Sequence, residues 1–118
     1  MTDTKTSKFS GHCLCGSVSF EFSADPEFPH CCHCDDCRRA SGSVYGSFVY
    51  VSTEALQVTG EMRSYEHQND QSSTMTKYFC PACGSHIIGT NSKTPERRAV
   101  WVGVINCLLY TSDAADEL

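Results

Sequence analysis

Gly11-His12-Cys13-Leu14-Cys15-Gly16 and, far along the chain, Tyr78-Phe79-Cys80-Pro81-Ala82-Cys83-Gly84-Ser85 decide how this sequence is read. Each stretch holds two cysteines close together and then a glycine. Thiolates so spaced can reach one metal ion from a tight turn, and a structural zinc site takes four ligands in a tetrahedron. The two pairs together supply four. Cys13, Cys15, Cys80 and Cys83 are therefore expected to close one site and to tie an early strand to a late one. Gly16 and Gly84 let the backbone turn away from each knuckle without a Cβ penalty, and Pro81 stiffens the second.

Between them lies Cys31-Cys32-His33-Cys34-Asp35-Asp36-Cys37-Arg38-Arg39. Cys32, Cys34 and Cys37 offer three ligands and leave a fourth position open, which is the arrangement of catalytic zinc. Such an ion holds an incoming thiol as thiolate or polarises a carbonyl oxygen. Side chains alternate along an extended chain, so Cys31 reads as a spare thiol beside Cys32. The alternative is a fourth ligand that closes the site. Arg38 is expected to steady the anionic cluster or to pair with a substrate carboxylate; Arg39 reads equally as a solvated residue. His33, between two ligands, is expected to point away from the metal. His30, His67 and His86 read as surface or turn residues, and His12 as a donor to a ligand sulfur.

Composition sets the frame for these motifs. The 118 residues make one domain with a modest core, which metal cross-links would help considerably. A hydrophobic fraction of 40% and a charged fraction of 19% are ordinary for a globular protein. The net charge is −5 and no face reads as a Lys/Arg stripe, which argues against a nucleic-acid partner. The polar stretch Met1 to Ser10 has no apolar segment of signal-peptide type. That favours a cytoplasmic location, and metal ligands over a disulfide framework for the nine cysteines. No run of about 18 apolar residues suggests a membrane span.

Residues 1–10 read as a flexible lead-in. Strands are expected at 17–22, 46–51, 56–59, 62–65, 73–79, 86–89 and 99–105, from alternation and β-branched or aromatic content. Residues 66–72 and 91–98 read as turn and loop. Only 35–40 is short and polar enough to form a single helical turn. The segment from Cys107 to Glu117 resembles the in-frame translation of a sequencing adapter, so 107–118 read as a non-native tail and Cys107 is left out of every ligand set.

The motifs at 11–16, 32–38 with Ser41-Gly42-Ser43, and 78–85 resemble the glutathione-dependent formaldehyde-activating family, which is related to the centromere-protein-V group. Weaker agreement lies in Phe48-Val49, Val58-Thr59-Gly60 and Tyr65. The resemblance spans residues 11–106 and implies a mainly β fold, a folded tent of several short antiparallel sheets around a structural zinc. It implies that Cys13, Cys15, Cys80 and Cys83 hold that ion and that Cys32, Cys34 and Cys37 hold a second, catalytic-type zinc. The family pattern continues past Asn106, so the chain reads as C-terminally truncated. The implied activity is that of a carbon–sulfur lyase acting on a thiol adduct of a small aldehyde, such as S-hydroxymethylglutathione, with glutathione as the thiol. The rival readings are a non-catalytic, zinc-stabilised binding module or chaperone-like protein, favoured if Cys31 fills the middle site, and a metal store or redox sensor.

Overall fold

The computed structural model describes residues 7–25 and 29–106. Nine strands and one α-helix make up its regular elements, apart from short 3-10 turns. In chain order they are β1 (Ser7–His12), β2 (Ser19–Ala24), β3 (His30–Cys32), α1 (Asp35–Ser41), β4 (Gly46–Ser52), β5 (Leu56–Thr59), β6 (Arg63–Gln68), β7 (Thr74–Phe79), β8 (His86–Asn91) and β9 (Arg97–Trp101). They form two antiparallel sheets, one of three strands in the order β1-β2-β5 and one of six in the order β3-β4-β9-β8-β7-β6. The fold is mainly β, as expected. Among the described residues no helix is long and apolar enough to cross a membrane.

The core forms where β2 packs on β4. Phe20 and Phe22 of β2 face Val49 and Val51 of β4, and Ile87, Val100, Val102 and Ile105 complete the cluster. Cys13 and Cys80 belong to the same cluster and are fully buried. Alternation along β4 turns Phe48 and Tyr50 to the opposite face of the large sheet, where they line a cavity with Cys37 and Trp101.

Three expectations need correction. Ser7–Ser10 are not a flexible lead-in but part of β1: Phe9 stands opposite Phe22 with ring centroids 5.2 Å apart, so one aromatic contact and the ladder to β2 order the segment. The polar stretch after Tyr65 does not turn at once. β6 continues to Gln68 against β7, because an edge strand satisfies its backbone on one side while its polar side chains stay in solvent. The last strand stops at Trp101 and a single 3-10 turn follows at Val102–Val104. Continued strand would send Val102 and Ile105 to opposite faces; the turn buries both, and Ile105 bridges back to Gly11. The tail assigned to 107–118 lies outside the described residues.

Candidate metal centres

The first knuckle follows β1 and the second joins β7 to β8. Gly16 and Gly84 close them with φ of 86° and 81°, in the left-handed region that favours glycine. Backbone hydrogen bonds Cys13 N–H to Val18 O and Cys80 N–H to Ser85 O shape the two loops, and Leu14 N–H donates to Ser85 Oγ across them. The three-stranded sheet is thereby joined to the six-stranded one at the cysteines.

Four sulfurs set tetrahedrally around zinc at about 2.3 Å stand about 3.8 Å apart. Sγ of Cys13 and Cys15 are 3.7 Å apart, and those of Cys15 and Cys80 3.8 Å. All four sulfurs, Cys83 included, lie within 4.8 Å of one another, and every described cysteine is free. The spacing is that of a shared ion and far from the roughly 2.05 Å of a disulfide. N–H donors surround the sulfurs: Val18 N–H points to Cys13, and Ala82 and Cys83 N–H to Cys80. The Ser85 hydroxyl and amide draw the Cys83 thiol down to about 5. Burial opposes ionisation of Cys13, yet the Val18 amide and the neighbouring thiols bring it down to about 7. This donor set fits a divalent, thiophilic cation.

The second site is built by β3 and α1. Cys32 ends β3, Cys34 caps α1 by accepting the Cys37 N–H on its sulfur at 3.4 Å, and Cys37 lies one turn on. Sγ of Cys32 and Cys34 are 3.4 Å apart, and all three sulfurs lie within 4.8 Å of one another. Asp35 and Asp36 in the first turn suit the positive end of the helix. The close approach of α1 to the sheet depends on Gly46, where a Cβ would stand 3.0 Å from the Trp101 ring and 3.2 Å from Cys37 Cβ. Burial, together with Cys32 and Cys34, pushes Cys37 up to about 12. Cys32 moves down, its burial outweighed by the Cys34 amide and the other two thiols. Three sulfurs this close resist holding three charges unless a cation sits among them, so these residues also fit a metal.

Residues 8–117 match the glutathione-dependent formaldehyde-activating enzyme family. The chain belongs to this family. A protein of Emericella nidulans provisionally named as a glutathione-dependent formaldehyde-activating enzyme is 30% identical over 78 residues, which are 66% of this chain and 39% of that protein. A Penicillium rubens protein with the same provisional name is 28% identical over 86 residues, 73% of this chain and 44% of that one. The chain thus spans about two-fifths of the length of these curated relatives. A crystal structure of a Rhodobacter sphaeroides protein shares the fold, with a TM-score of 0.61 at 23% identity over 82% of this chain and 87% of that one.

Within this family member, Cys31 stands apart from the trio: it is exposed on β3, between His30 and Cys32. Arg38 pairs with Asp35 on the exposed flank of α1, whereas Arg39 lines a groove with Asp36, Tyr65, His67, Lys77 and His86. His12 Nδ1 lies 2.8 Å from the Cys13 carbonyl oxygen, so its partner is the backbone and not a ligand sulfur. His33 turns outward against Tyr45, with ring centroids 5.2 Å apart. His67 and His86 are not simple surface residues. His67 Nε2 lies 2.9 Å from Lys77 Nζ, and its Nδ1 is 3.8 Å from Asp36 Oδ2. His86 packs on Trp101 at 5.2 Å, and burial followed by the charge of Lys77 holds it below the usual imidazole range.

Sequence reasoning missed Lys77, Arg97 and Trp101. Lys77 sits mid-strand in Thr-Met-Thr-Lys-Tyr-Phe, where alternation alone signals a half-buried strand and one charged residue is no anomaly. Only the pairing of β7 with β6 and β8 buries it.

Proposed function

We propose that this chain is a zinc-dependent enzyme of the carbon–sulfur lyase type, acting on the adduct of a small aldehyde with a glutathione-like thiol. The observation that carries the reading is the contrast between the two cysteine groups. Four sulfurs close one site; three make the other, with Cys31 outside it. The first group would hold a structural zinc and the second a catalytic one, two ions per chain. A bound ion at the second group would supply Lewis acidity that favours thiolate over thiol.

The protein's own residues do the rest. Cys32, Cys34 and Cys37 would hold that ion, and Cys37 also lines the cavity on the second face of the large sheet. Gly46 and Trp101 set the height of α1 over the sheet. In the forward direction the thiol sulfur bonds to the aldehyde carbon, and the thiol proton ends on the aldehyde oxygen. In reverse the C–S bond breaks and the proton returns to sulfur. Grouping of the cysteines at metal-ligand distances supports work in a reducing compartment such as the cytoplasm.

Protein purified under reducing conditions is expected to carry two zinc ions per chain and to speed the exchange between formaldehyde plus glutathione and S-hydroxymethylglutathione above the spontaneous rate. Cys34→Ser is expected to keep one ion and lose that acceleration. Full acceleration in Cys34→Ser would end the proposal.

A further inference from the structure

The second face of the six-stranded sheet holds a shallow cavity of about 80 Å³, open to solvent along one side, that runs from Cys37 and Trp101 to Arg97. Strand register explains its shape. Lys77, Gly89, Ala99 and Tyr50 stand in one row across β7, β8, β9 and β4. Gly89 and Ala99 leave the middle of that row nearly empty: a Cβ at Gly89 would meet only the Thr76 carbonyl oxygen, at 3.7 Å. Arg97 lies four positions from Trp101 along β9, about 13 Å at the rise of a strand. That span suits a short, peptide-sized molecule.

Among the described residues, neither of the cavity's two cations has a carboxylate in direct contact. Lys77 is 9% exposed, and its hydrogen-bond partner is the imidazole of His67. The Arg97 guanidinium rests over the Tyr50 ring, 3.8 Å from the centroid. The chain has 14 acidic residues against nine lysines and arginines, so acids are plentiful; they are absent from this cavity's lining. The compensation of buried Lys77 is indirect, through the Cys32 thiol, whose ionised form its charge favours, and through Asp36 behind His67. A buried ammonium without a directly paired carboxylate is costly. An anion entering the cavity would relieve that cost.

We propose that Lys77 and Arg97 form a carboxylate-recognition site, which holds the acidic ends of a short thiol while its sulfur lies at Cys32, Cys34 and Cys37. The cavity then selects carboxylate-bearing thiols over neutral ones. This rests on the reading that the three-cysteine group receives the thiol. The two cations act differently. Tyr50 holds the planar Arg97 fork in place for two-point pairing, and Lys77 acts as a point charge nearer the thiols.

Binding of an unreactive thioether tests the idea without turnover. The zinc-loaded protein is titrated by calorimetry with S-methylglutathione and with the same compound esterified at both carboxylates. Loss of a charge-assisted hydrogen bond predicts that the free acid binds about tenfold or more tightly than the ester. Arg97→Gln is expected to bring that ratio close to one, while Arg97→Lys retains part of it. Lys77→Met, checked for folding by circular dichroism, is expected to reduce it as well. Arg97 is exposed, so its variants keep the test open even where Lys77→Met fails to fold. Equal binding of acid and ester by the unmodified chain, or a ratio unchanged in Arg97→Gln, overturns the proposal whether or not formaldehyde is turned over. A ratio that depends on Arg97 in a protein with no formaldehyde activity supports this site and removes the lyase reading instead.

Discussion

Cys80→Ser should cost this protein its fold, whereas Cys34→Ser should not. Cys80 is fully buried, and its sulfur accepts the Ala82 and Cys83 N–H groups at 3.3 and 3.4 Å. Structural zinc contributes roughly 10–16 kcal/mol of apparent binding energy, so an equal share for one of four ligands is about 2.5–4 kcal/mol. Two N–H donors that lose a charged acceptor add about 1 kcal/mol each. The sum, about 4.5–6 kcal/mol, reaches the lower end of net domain stability, about 5–15 kcal/mol. Cys34 is exposed, and its sulfur caps α1 by accepting the Cys37 N–H. Serine is itself among the best N-caps, so the hydroxyl can take over that bond at a cost of about 1 kcal/mol or less. Thermal melts followed by circular dichroism, paired with zinc analysis, read both variants. At about 4–8 °C per kcal/mol for a domain of this size, Cys80→Ser should melt at least about 20 °C lower or fail to fold, and Cys34→Ser within about 8 °C of the parent. A cooperative Cys80→Ser protein that melts near the parent and retains the same zinc would refute the pairing of the two knuckles and the energetics drawn from it.

The other predictions concern the second site, the cavity and pH. Gly46→Val places side-chain atoms where a Cβ would already stand 3.0 Å from Trp101; it should lift α1 and halve the zinc content while the closed site stays loaded, as elemental analysis would show. Gly89→Leu should fill the cavity and suppress thiol turnover at least tenfold with little change in melting temperature, because only the Thr76 carbonyl oxygen lies near the new Cβ. Cys83 and Cys13 are held down to about 5 and about 7 against an ordinary 9.0. These two depressed thiols set the trend although Cys15 moves up, its Ser17 hydrogen bonds outweighed by the Cys13 thiol, burial and the Cys80 thiol. Groups depressed in the folded state favour it fully above pH 9 and lose that contribution as pH falls through the folded values. Chelator competition should therefore strip the closed site progressively faster between pH 9 and pH 5, and a flat profile over that window would count against thiolate ligation.

Most of the closed site was legible in the order of residues. Cys-x-Cys-Gly and Cys-Pro-x-Cys-Gly are local devices: the turn is set within five residues, and four thiols in two such turns have few uses other than a shared ion. The same holds for Cys32, Cys34 and Cys37, where a cap and one helical turn bring the sulfurs together, and for the exclusion of Cys31 by alternation. Alternating stretches such as Ser-Phe-Glu-Phe announced strands for the same reason, since side-chain direction is a nearest-neighbour property. What tertiary structure alone decided is long-range. Phe9 orders β1 only because Phe22 is opposite it. Asp36, His67 and Lys77 meet only because α1 lies over β6 and β7. Gly89 and Ala99 become the floor of a cavity only because register sets them side by side between Lys77 and Tyr50. Metal knuckles are written in spacing, and spacing is visible in a chain. A cavity is written in the pairing of strands distant in sequence, which depends on the packing energy of the whole sheet and appears only when the chain has folded.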